Sequence, residues 1–302
     1  MKLKKLAALL LCAAVMLPLA ACVKKPGGSE NSSGTSSSES TTATQTKDKD
    51  TSIVATDKSR KGPAVQDLMK GITKGKGVSK KPDSRFENAA ASFALDLFRD
   101  EYKSGRKTLV SPLSVFTALA MTQNGAEDRT LSEMQKTLGG LDRDVLNAYM
   151  NAYLAELTGK DSALKCANSL WIDSRLDVKT SFLQKNADFY SAQAYKADFT
   201  RKNTVNEINS WVNKNTNGMI KKLVDEFDPL TVMVLMNALC LEAEWDDPYT
   251  DNCVREGTFK NAKGNLVKAE YMYSQETEYI ETENATGFVK YYKGDRFAFV
   301  AL

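Results

Sequence analysis

Residues 231–245 read TVMVLMNALCLEAEW, and the fold turns on how they are read. Val232 to Leu235 is an unbroken apolar run. From Asn237 it loosens into alternation, with Ala238, Cys240 and Glu242 set against Leu239, Leu241 and Ala243. A run apolar on both faces belongs to an interior strand covered above and below. A helix of this length would show a 3.6-residue period, which is missing, and Asp246-Asp247-Pro248 stops the run sharply. At about 3.3 Å per residue the stretch would extend about 50 Å, far beyond an ordinary strand, so it predicts the spine of a large sheet. Asn237 interrupts the apolar pattern and Trp245 closes it. A buried amide needs hydrogen-bond partners, so polar groups are expected beneath the middle of this strand.

The 302 residues are 42% hydrophobic and 26% charged, the balance of a chain able to build a core. A net charge of +3 is too small to argue for a nucleic-acid partner. There is no histidine, which removes Ser-His-Asp and Cys-His catalysis and histidine-dependent metal sites. No cofactor or metal is expected.

The first 22 residues read as an address and not as fold. Met1-Lys2-Leu3-Lys4-Lys5 is basic, and residues 6–19 are apolar but too short to span a bilayer as a helix. Leu19-Ala20-Ala21-Cys22 resembles the bacterial lipoprotein signal, which implies a lipid on Cys22 and a protein exported and tethered at the outer face of the cell membrane. The alternative is an ordinary secretory signal with an incidental cysteine. Residues 23–64 form a Ser/Thr-rich disordered tether, and 65–302 are the folded domain. Lys70, Lys74, Lys76, Lys80 and Lys81 form a loose basic cluster that reads as a solvated linker end, the alternative being contact with an anionic envelope. Cys166, Cys240 and Cys253 are odd in number and lack CxxC spacing, so they are no disulfide framework. Cys166 and Cys240 fall in apolar patterns and read as buried thiols.

Phe86, Ala89, Ala90, Phe93 and Leu97 have amphipathic helical spacing. Leu109-Val110 suggests a short strand, followed by a helix that opens with Ser111 as N-cap and Pro112 at the first position. Further helices are predicted from Thr130, with a capping box to Glu133, from Asp142, from Thr180, and from Thr204, with a box to Glu207. Residues 164–172 alternate as a strand, and 195–199 are short and extended. Asn261-Ala262-Lys263-Gly264 and Lys293-Gly294-Asp295 look like hairpin turns. Helices first and strands later make an α+β order: N-terminal helices packed on a large mixed or antiparallel sheet. The chain stops at Leu302 in mid-pattern, which reads as a domain incomplete at its C-terminus.

Seven segments, in order and spacing, resemble the serpin family: FALDLF from Phe93, SPLSVFTALAM from Ser111, GAEDRTLSEMQKTLG from Gly125, ANSLWID from Ala167, INSWVNKNTNGMIKKLV from Ile208, NALCLEAEW from Asn237 and TFKNAKG from Thr258. The resemblance covers roughly the first two thirds of such a domain. It implies a metastable inhibitor of serine, possibly cysteine, proteases, whose cleaved reactive loop inserts into the main sheet and carries the trapped protease with it. The loop itself would lie after residue 302. By the same resemblance Ser111, Ser114 and Asn237 match the latch called the shutter, and Trp245 matches the breach, where insertion begins. The sequence departs from the family at Val254, where a threonine is usual, at Leu241-Glu242-Ala243-Glu244, where Phe-Lys-Gly-Lys is preferred, and at Asp128, in place of a glycine.

Two other readings compete with this one. Ser162-Ala163-Leu164-Lys165 satisfies SxxK, a nucleophile pair that requires the serine to open a helix. The other is a non-inhibitory lipoprotein of the same fold acting as a binding module.

Overall fold

The computed structural model describes residues 62–302 and, before them, the backbone of Ala8–Pro18. Cys22 and most of the predicted tether lie outside the described residues. In chain order, strands β1 (Ala8–Pro18) and β2 (Val65–Asp67) precede four helices: α1 (Ser84–Glu101), α2 (Pro112–Thr122), α3 (Asp128–Thr137) and α4 (Arg143–Leu157). Strand β3 (Leu164–Asp173), α5 (Thr180–Tyr190), β4 (Gln193–Ala197) and α6 (Lys202–Asn215) lead to the spine, β5 (Thr231–Glu242). Strands β6 (Val254–Lys260), β7 (Leu266–Met272), β8 (Glu278–Glu281), β9 (Thr286–Tyr291) and β10 (Ala298–Ala301) follow.

The helices form where apolar spacing and caps coincide. Asp83 caps α1: its carboxylate accepts the Arg85 N–H at 3.1 Å and the Tyr149 hydroxyl at 2.5 Å, which ties α1 to α4. The Arg85 guanidinium and Tyr149 together hold this carboxyl well below the usual carboxylate range. Helix α1 then buries Phe86, Ala89 and Phe93. Ser111 caps α2 with Pro112 at its first position, and Asp142 caps α4 by accepting the Asp144 N–H at 2.8 Å. The two predicted capping boxes do not form. Helix α3 starts two residues before Thr130, and α6 starts two before Thr204, so neither threonine is in a capping position. The Thr204 hydroxyl instead donates to the Asp198 carbonyl at 2.6 Å and pins the preceding loop. Leu109 and Val110, predicted extended and paired, lie in irregular chain. Asp128 opens α3 with φ of +50°, a left-handed conformation that explains why a glycine is usual there.

The main sheet is mixed, in the order β1-β5-β3-β4-β2. Strand β5 runs antiparallel to β3, from Leu164↔Leu241 to Ile172↔Met233, and β3 runs parallel to β4. One face is covered by α1, α2, α4 and α5, over a core containing Leu170, Ile172 and Leu235. The other is covered by α6, over Trp171, Val234, Met236 and Ala238. Burial on both faces is why β5 reads as continuous apolar sequence. The strand is 12 residues long and not 15. Past Glu242 the backbone leaves the sheet and binds the second one: the Lys293 N–H donates to the Glu244 carbonyl at 2.8 Å, and the Asp246 N–H to the Tyr291 carbonyl at 3.1 Å.

On its other edge β5 pairs antiparallel with β1, Leu9↔Leu241 through Leu17↔Met233. The apolar leader was expected to lie outside the fold; here its backbone completes the ladder. An apolar strand with a free edge offers a row of unpaired N–H and C=O groups, and an apolar extended segment satisfies them. The second sheet has the order β10-β9-β8, and β6 and β7 pair as a hairpin. Both predicted turns close ladders, with Lys260↔Leu266 and Tyr291↔Ala298 as their nearest pairs.

Gly139 ends α3 with φ of +88°, and a Cβ there would sit 2.2 Å from the Ala89 Cβ in α1. Gly139→Ala adds left-handed strain of about 1–2 kcal/mol to overpacking of about 1–3 kcal/mol. We expect a loss of about 2–5 kcal/mol in urea denaturation. A loss below 0.5 kcal/mol would show that α1 and α3 do not meet there.

Candidate functional site

The polar residue in the middle of the spine has found partners. Asn237 and Asn168 face each other across the β5–β3 ladder, and the Asn237 amide donates to the Asn168 Oδ1 at 2.8 Å and to the Cys166 Sγ at 3.2 Å. Odd positions of β5 and even positions of β3 point to the α2–α5 face, so all three lie on that side. Asn168 passes the link on by donating to the Tyr190 carbonyl at 2.8 Å. The Tyr190 hydroxyl donates to the Asn147 Oδ1 at 2.7 Å, and Asn147 donates to the Asn124 Oδ1 at 2.8 Å. A chain of buried amides thus runs from the sheet centre through α5 and α4 to the turn after α2. Burial pushes the Tyr190 phenol far above its ordinary range, so it stays a neutral donor.

Ser111 and Ser114 lie at the start of α2, which packs on β5. Ser114 is fully buried. The Ser111 hydroxyl donates to the Ser114 Oγ at 2.9 Å, while its oxygen caps the helix by accepting the Ser114 N–H at 3.4 Å. Of the three residues that match the shutter, Ser111 and Ser114 bond to each other, while Asn237 bonds to Asn168. Asn168 stands one ladder rung away, whereas the serine hydroxyls satisfy one another. The Asn237 Oδ1 is buried without a hydrogen-bond partner among the described residues.

Trp245 is half-buried past the end of β5. Its ring stacks on Tyr292 at 4.3 Å and 9°, with Tyr249 and Phe299 edge-on. Of the departures noted above, Glu242 accepts a hydrogen bond from Asn217 at 3.1 Å, and Glu244 lies 3.5 Å from the Lys293 ammonium. The SxxK reading fails on geometry. Lys165 is inside β3, and the Ser162 hydroxyl is occupied by the Leu157 carbonyl at 2.5 Å. The residues that sequence reading missed are Asn124, Asn147, Asn168, Asn186 and Tyr190. The available signal was asparagine on the apolar faces of α4, α5 and β3.

Cys240 is buried and Cys166 half-buried, and burial raises both thiols. Cys253 is held below the ordinary thiol range by hydrogen bonding from Thr250, whose hydroxyl is 3.4 Å from the sulfur.

The main sheet is thus mixed and sheathed by helices, with a polar seam beside β5 and an aromatic cluster past that strand's end. The family model described as Serpin (serine protease inhibitor) matches residues 88–302. An uncharacterized serpin-like protein of Thermococcus kodakarensis, TK1782, is 28% identical over 221 residues, covering 71% of this chain and 52% of its own length. Serpin-ZX of Arabidopsis thaliana is 31% identical, over 57% of this chain and 46% of its own. The native-state structure of tengpin, a thermophilic serpin, is 37% identical with a TM-score of 0.72, covering 79% of this chain and 62% of tengpin. The chain belongs to the serpin family, a family of mostly protease inhibitors, and it spans about half the length of the curated relatives it matches.

Asn168→Ala leaves the Tyr190 carbonyl and one Asn237 donor without their present partner, which should cost about 1–3 kcal/mol in chemical denaturation. No loss would mean the amide chain is not formed. Iodoacetamide labelling across pH should modify Cys253 first and at lower pH than a free thiol, with Cys166 and Cys240 labelled only on unfolding. Early labelling of Cys240 would contradict its burial.

Proposed function

We propose that this chain belongs to a surface-tethered inhibitor of serine, possibly cysteine, proteases, working by cleavage-triggered insertion of a reactive loop beside β5. One observation supports this most directly: β5, fixed to β3 on one edge, accepts an antiparallel extended segment along nearly its whole other edge, here the leader strand β1, which processing at Cys22 would remove and so leave that edge open. Main-chain hydrogen bonds provide the affinity of such strand addition, with side-chain packing on the two faces adding to it. The seam below suits the task. Neutral amide bonds net only about 0.5–1.5 kcal/mol each, so Asn237 and Asn168 can separate without the penalty of exposing buried charge. In this reading the protein performs no catalysis of its own. The protease attacks the loop, is held as an acyl-enzyme, and is displaced as the loop becomes a strand.

The tether in this proposal is a lipid on Cys22, which places the domain at the outer face of the membrane. Among the described residues no helix is long and apolar enough to cross a bilayer.

Full-length protein incubated with a panel of serine and cysteine proteases should give an SDS-resistant complex with at least one of them. Clean cleavage with no complex would favour a non-inhibitory serpin-fold binding module. Cys22→Ser should move the protein from the detergent phase to the aqueous phase; unchanged partitioning would reject the lipid.

A further inference from the structure

Lys290, in β9, is 2% exposed, where a lysine is seldom found. Its ammonium donates to the Glu276 Oε1 at 2.7 Å and lies 4.7 Å from the Tyr249 ring and 5.7 Å from the Trp245 ring. The Ser274 hydroxyl donates to the same carboxylate oxygen at 2.5 Å, and its oxygen lies 3.2 Å from the Tyr249 Oη. Burial alone would raise the Glu276 carboxyl, but Lys290 and Ser274 more than offset this and hold it below its usual range. The wall of this small chamber is the Trp245 indole, with Tyr292 stacked on it.

A buried ion pair is poor evidence for stability, because desolvation takes back most of the attraction and an apolar pair of equal volume often does as well. What an ion pair adds is direction. An ammonium fixed by one carboxylate under two rings determines where those rings lie, since each contact is strongest with the cation over the ring face.

We propose that Lys290 and Glu276 are a positioning pair for Trp245, holding the indole on Tyr292 and thereby keeping the chain leaving β5 bound to β9 until that end is drawn open. The consequence for loop insertion rests on the inhibitor reading above; the local claim does not. Lys290 and Glu276 belong to the stretch after the spine, and nothing in their spacing marked them.

Hydrogen exchange on the full chain tests it. Lys290→Met should speed exchange at least tenfold at residues 243–250 and 288–293 and leave β3 and α2 unchanged. Lys290→Met with Glu276→Met removes both charges and guards against misfolding of the single variant. It should keep the native Tm within a few degrees yet retain the fast exchange at 243–250, because packing is restored and direction is not. Slow exchange there in the double variant, or in Lys290→Met alone, would overturn the proposal. In a protease assay Lys290→Met should shift the ratio of complex to cleaved product at least threefold. If the unaltered protein forms no complex with any protease, the inhibitor reading fails and the exchange result still decides the positioning role.

Discussion

The amide–amide bond between Asn237 and Asn168 joins two adjacent strands at a level of the main sheet where apolar packing gives way. On either side of that level β5 is held by apolar neighbours, Leu235 toward the helices and Val234, Met236 and Ala238 toward α6. Apolar packing is non-directional and roughly proportional to area, so it holds the strand in place without specifying a single partner. The amides do specify one. A one-residue slip of β5 against β3 would turn Asn237 to the α6 side and leave two amides unpaired in a dry interior. The polar seam therefore fixes register.

The same bond connects the sheet to its cover. Asn168 reaches the Tyr190 carbonyl, Tyr190 reaches Asn147, and Asn147 reaches Asn124, so displacement of β3 is felt in α5, in α4 and at the end of α2. Buried networks of this kind are worth most when complete. Among the described residues the Asn237 Oδ1 has no partner, which leaves this network an acceptor short. An orphaned acceptor of this kind costs about 1–3 kcal/mol. That is a large fraction of a domain's net stability, and it sits on the strand that the proposed function requires to part from its neighbour.

How much of this was legible in the sequence follows from physical range. The spine could be read because burial on two faces leaves a local signature in Val232 to Leu235, and caps such as Ser111 and Asp142 act over two or three residues. The need for a partner at Asn237 was equally visible, since a lone amide in an apolar run cannot stay unpaired. The partner's identity was not, because Asn168 is 69 residues away in sequence and becomes a neighbour only through the strand register. The capping boxes were misread because Thr130 and Thr204 satisfy a local pattern while each helix starts two residues earlier. The end of β5 was misplaced because alternation persists to Trp245 even though the backbone has already turned to pair with β9.

The two ends of this logic use different chemistry for different reasons. At the middle of β5 the link is neutral, so breaking it exposes two amides that water or a new strand can satisfy. At the exit, Trp245 is held beside a buried cation and carboxylate, and separating them would leave two charges in a low-dielectric pocket. A sheet that yields in the middle and resists at the end cannot be opened by a casual fluctuation at its rim. It needs an incoming segment that supplies backbone hydrogen bonds as fast as it displaces the old ones. In the proposed function that requirement would favour an extended strand over any smaller intruder.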